Sequence, residues 1–64
     1  MITEIYSKRW DEKRGFTQVE ALAKKSELDK FYDVKNPDSK WSPAVLESDP
    51  NRATGYRVCI STKE

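Results

Sequence analysis

The stretch Phe16-Thr17-Gln18-Val19-Glu20-Ala21-Leu22-Ala23, continued by Lys24-Lys25-Ser26-Glu27-Leu28-Asp29-Lys30-Phe31, decides the fold. Thr17 with Glu20 three positions on matches a capping box, in which the Thr hydroxyl takes a free helix N–H and the Glu reaches back to the cap. Phe16 before the cap and Ala21 after it form a weak hydrophobic staple, and Ala21 to Lys25 are good helix formers. Val19, Leu22, Ala23 and Ser26 line one face. At 100° per residue, Leu28, Phe31 and Tyr32 fall opposite Val19, so one straight helix is apolar on two sides. Either the helix stops near Ser26 and a second short turn starts there, or it continues, sandwiched, with residues 31–34 extended afterwards. We favour a helix over about 17–30 with an irregular end. The rival is a strand over 16–23, because Thr17, Val19, Ala21 and Ala23 also alternate.

Working outward, residues 2–10 (ITEIYSKRW) read as a strand with Ile2, Glu4, Tyr6, Lys8 and Trp10 on one face. Neither face is purely apolar, which suits an edge, where Lys8 and Arg9 discourage pairing with another chain. Residues 11–15 form a charged turn ending at Gly15, where a left-handed backbone is useful. Residues 35–43 hold two prolines and read as a loop carrying Trp41. Residues 44–47 form a short strand, residues 49–55 a connection rich in turn formers, and residues 56–61 the clearest strand, with Tyr56, Val58 and Ile60 on one face. The last two strands pair as a hairpin and the first joins their sheet. The expected fold is α+β: a small antiparallel sheet of three strands, four if 16–23 is extended, with one helix packed on one face, all in a single domain spanning 1–64.

Composition narrows the chemistry. The chain has 64 residues, no histidine, one cysteine and two glycines. Ser-His-Asp and Cys-His catalysis and a Cys/His zinc site are therefore excluded, and two glycines leave no phosphate-cradling loop. Cys59 has no partner for an internal disulfide and reads as a packing residue. The acidic pairs Asp11/Glu12 and Glu47/Asp49 read as turn and surface groups, and Asp49-Pro50-Asn51 lacks the later ligands of a calcium loop. No cofactor or metal is expected, nor an enzyme. No apolar run is long enough to span a membrane, and the unpaired cysteine suits a cytoplasmic setting.

The net charge is +1, with seven basic and six acidic residues in positions 1–32 and five of each in 33–64. Neither half is a basic arm. With 36% of residues charged and seven aromatic, the chain is short of aliphatics but rich in rings. Trp, Tyr and Arg dominate protein–protein hot spots, which marks Trp10, Arg14, Trp41, Arg52 and Tyr56 as candidate partner-binding residues, Arg52 on a loop projecting from the hairpin. The same rings read as the core of a small domain. A nucleic-acid reading uses Tyr6 and Trp10 for stacking and Lys8, Arg9, Lys13 and Arg14 for phosphates.

The layout of N-terminal strand, charged turn, capped helix and C-terminal hairpin is similar in style to small phage-encoded host-takeover proteins, anti-CRISPR inhibitors among them. The resemblance covers size and architecture and carries over no residue. It implies a non-enzymatic inhibitor, of phage or mobile-element origin, that covers a surface of a larger host protein or complex. Such a protein is expected to be a monomer or a weak homo-oligomer. A small nucleic-acid-binding domain is the alternative.

Overall fold

The computed structural model describes residues 1–8, 11 and 13–63. The elements are β1 (Thr3–Tyr6), α1 (Gln18–Phe31), β2 (Val45–Ser48) and β3 (Tyr56–Ser61). They build an α+β fold in which the three strands form one antiparallel sheet in the order β1-β3-β2. The β2–β3 hairpin and the addition of β1 agree with the sequence reading, and β3 is the central strand.

Residues 16–23 are not a strand. Thr17 caps α1: its hydroxyl accepts the Glu20 N–H at 3.2 Å, and Glu20 Oε1 accepts the Thr17 N–H at 2.9 Å. These short-range bonds satisfy donors that a helix start leaves open, so the capping box prevails over the alternation. The helix runs through Ser26 and ends in a turn rather than an extended segment. The Val34 N–H reaches the Asp29 carbonyl at 3.1 Å and the Asp33 N–H the Lys30 carbonyl at 3.3 Å, with Asp33 at φ 53°. That is a Schellman ending, and its usual apolar contact is supplied by Val34 and Leu28, both buried in one cluster.

The side of α1 that carries Val19, Leu22, Ala23 and Ser26 faces solvent, with Val19 77% exposed. Ala21, Leu28 and Tyr32 instead lie within about 40° of one another around the helix, and they meet the sheet. α1 lies over β3 and β2. Ala21, Leu28, Val34, Ala44, Val58 and Ile60 make the core, with Tyr6, Phe16, Tyr32, Trp41 and Leu46 packed around it. Asp29 links the layers: its Oδ1 accepts the Ala44 N–H at 2.8 Å, while Lys25 Nζ lies 2.6 Å from Oδ2.

The first strand is shorter than 2–10. Beyond Tyr6 the chain leaves the ladder, the Ser7 hydroxyl bonds to the Asp49 carboxylate, and Phe16 takes the next place beside β3 through reciprocal 2.9 Å backbone bonds with Tyr56. Arg9 and Trp10 lie outside the described residues. Gly15 does not use a left-handed backbone; only Gly55 among the glycines does, at φ 106°. Gly15 is required by close approach, since a Cβ there falls 2.7 Å from the Tyr56 carbonyl oxygen.

Candidate functional site

Cross-strand register assigns the two faces of the sheet. Tyr6, Val58 and Leu46 are paired neighbours and take the helix side. Ile5, Cys59 and Val45 are paired neighbours one position away, so they share the opposite side. This second face is open. Ile5 and Val45 are 55% and 51% exposed, while Cys59 between them in the register is only 5% exposed. Burial pushes the Cys59 thiol up from its ordinary pKa, which makes it a packing group rather than a nucleophile.

Polar pairs border this apolar row. On one side, two residues along the strands, Arg57 Nη2 lies 2.8 Å from Glu47 Oε1, and the arginine holds the Glu47 carboxyl below its ordinary value. On the other side the Thr3 and Ser61 hydroxyls are 2.9 Å apart. Polar groups that satisfy one another thus flank a small apolar centre.

Of the partner-binding candidates singled out in sequence, the described ones, Arg14, Trp41, Arg52 and Tyr56, fall elsewhere. Arg14, Arg52 and Tyr56 gather where residues 13–16 pack against the 49–55 connection. Arg14 Nη1 is 3.3 Å from Glu20 Oε1, and Tyr56 is bridged to Phe16. The connection folds back instead of projecting: Arg52 Nη2 donates to the Lys8 carbonyl at 2.6 Å, and the Ala53 N–H donates to the Lys13 carbonyl at 3.1 Å. Asp49 anchors it from a buried position, accepting from Ser7 and from the Asn51 N–H at 2.9 Å, and the Ser7 hydroxyl first among these keeps its carboxyl below the ordinary value. Trp41 lies at the other end of the molecule, half-buried, with its ring 4.3 Å from that of Tyr32. The structure therefore does not gather Arg14, Trp41, Arg52 and Tyr56 into one patch.

Among the described basic and aromatic residues of the N-terminal segment, Tyr6, Lys8 and Arg14 are engaged within the protein. Lys8 Nζ sits 2.8 Å from Glu20 Oε2 and 5.6 Å from the Phe16 ring centroid. Lys8 and Arg14 thus share one carboxylate, and Lys8 foremost brings the Glu20 pKa down to about 2. The Tyr6 hydroxyl donates to Glu4 Oε2 at 2.7 Å, and the Tyr32 hydroxyl donates to the same oxygen at 2.6 Å. Tyr32 above all, then Tyr6, lowers the Glu4 pKa. This cluster ties β1 to the end of α1.

Ile5 and Val45 were missed in sequence because neither differs from an ordinary strand residue until the register places it beside Cys59. The available signal was the position of Cys59, opposite Val58 and Ile60 in a strand whose other face is core.

Among the described residues no helix is long and apolar enough to cross a membrane. No protein-family model, curated protein or solved structure matches this chain.

Proposed function

We propose that this protein is a non-enzymatic binding module that covers a surface of a larger protein partner with its open sheet face. The observation that carries this reading is the Ile5–Cys59–Val45 row, whose Ile5 and Val45 side chains are exposed on a sheet with its other side closed by α1. Apolar side chains held on a rigid sheet lose little freedom on binding, so their burial contributes to affinity. A stable interface takes about 800 Å² from each partner, and a domain of this size supplies that by committing most of one face. An inhibitor of phage or mobile-element type acts in this way. The nucleic-acid alternative has less support, since Lys8 and Arg14 already share Glu20.

The test is capture of partners from host-cell lysate by the tagged protein, in nuclease-treated and untreated halves, beside a Val45→Lys variant of unchanged far-UV circular dichroism. A stoichiometric protein that survives nuclease and is lost with Val45→Lys supports the reading. A partner that disappears with nuclease, or that Val45→Lys retains, overturns it.

A further inference from the structure

The two edges of the sheet differ. β2 is followed by Pro50, which has the phase of the outward-facing Leu46 and Ser48 and no N–H to donate, and this discourages another strand from adding there. β1 (Thr3–Tyr6) has no proline or lysine and, among the described residues, no neighbouring strand on its outer side; Lys8, expected to discourage pairing there, lies beyond the strand with its ammonium beside Glu20.

The backbone pattern shows which groups β1 presents. The Thr62 N–H donates to the Ile2 carbonyl at 2.9 Å. In an antiparallel ladder bonded and non-bonded pairs alternate, so Glu4 and Tyr6 turn their backbone groups toward β3. Thr3 and Ile5 turn theirs outward. The Phe16–Tyr56 bonds keep the same phase along β3.

We propose that β1 pairs antiparallel with β1 of a second copy about a two-fold axis at Ile5, giving a continuous six-stranded sheet. Each Ile5 exchanges N–H···O bonds with Ile5 of the second copy, and each Thr3 meets Ser7. Glu4 falls opposite Tyr6, with no like charges facing. The axis at Glu4 is disfavoured because it sets two carboxylates directly opposite each other. On the open face the axis at Ile5 joins the two rows, Val45–Cys59–Ile5 continuing into Ile5–Cys59–Val45, so the apolar strip doubles in length. Two-fold pairing of identical edges is closed, and it stops at the dimer because β2 resists addition. The contact is short, so the dimer is weak, forming on the order of 0.1–1 mM.

Sedimentation from about 10 μM to about 1 mM tests the proposal. The mass should rise from 7.5 kDa toward twice that value. Amide exchange at Thr3 and Ile5 should slow with concentration while Glu4 and Tyr6 keep their rates. Ile5→Pro removes the donor at the axis without removing a bond to β3, and it should weaken association at least tenfold. Should that variant fail to fold, Ile5→Lys replaces it by placing two ammonium groups opposite each other at the axis. Val45→Lys should leave the dimer intact, which separates it from capture of a foreign protein by the open face. A mass fixed at 7.5 kDa overturns the proposal. So does a folded Ile5 variant that associates like the parent, or loss of association in Val45→Lys, which would place the contact on the face.

Discussion

Gly15 and Gly55, the two glycines of the chain, lie against each other: a Cβ on Gly55 would fall 2.8 Å from the Gly15 backbone. The contact lets the segment before α1 run beside β3. The Gly15 N–H donates to the Thr54 carbonyl at 2.7 Å, and the Phe16–Tyr56 bridge follows directly.

Replacing either glycine by alanine should therefore be severe. Gly15→Ala drives a methyl into the Tyr56 backbone, and Gly55→Ala combines a clash with a φ of 106° that side chains rarely adopt. Each should cost at least about 2 kcal/mol, much of what a domain of this size has. Urea denaturation measures it. A cost below about 0.5 kcal/mol, the scale of a neutral surface change, would contradict the contact.

Asp33 holds the left-handed position after α1, where glycine is the usual residue. Asp33→Gly should stabilise the protein by up to about 1 kcal/mol, while Asp33→Val should destabilise it by at least that much, since a β-branched side chain tolerates this conformation poorly. Thermal midpoints moving in opposite directions would establish the point. The Asp33 side chain is exposed and, among the described residues, accepts only from Asn36, at 3.1 Å, so little else changes in Asp33→Gly.

Val19 is turned to solvent despite its place in an apolar pattern. Val19→Ala should change stability by no more than about 0.5 kcal/mol, because helix propensity gained offsets the little area lost. Leu28→Ala, on the buried side, should cost about 2–5 kcal/mol. Equal costs at the two positions in chemical denaturation would refute the orientation of α1.

Acid should unfold the protein through carboxylates held low in the folded state. Glu20 falls from its ordinary 4.5 to about 2, chiefly through Lys8 and then the Thr17 N–H. Hydrogen bonds from Tyr32 and Tyr6 lower Glu4, the Ser7 hydroxyl lowers Asp49, and at Asp29 burial opposes the Lys25 and Ala44 bonds but loses to them. A depressed pKa means the unfolded chain takes up protons first. The Glu20 contribution is therefore complete above about pH 5 and is lost as pH falls toward 2. Denaturation midpoints should drop over that window, and Glu20→Gln should flatten the drop. A profile unchanged by Glu20→Gln would remove Glu20 from this role.

The elements visible in sequence are those whose causes are local. The Thr17–Glu20 box joins residues three apart and starts α1 wherever the helix lies. The alternation of Tyr56, Val58 and Ile60 requires only that β3 have one buried face. Tertiary structure decided what depends on partners distant in the chain. Which side of α1 is buried was not encoded by a single apolar stripe, because Val19 and Leu22 compete with Ala21, Leu28 and Tyr32; packing on β3 and β2 chose the second set. Gly15 was legible as a glycine that matters, but its reason is the approach of Gly55 and Tyr56, not its own φ. The candidate surface exists only through register: Ile5, Cys59 and Val45 become one row when three separate strands align, and a shift of one residue would turn them to the other face.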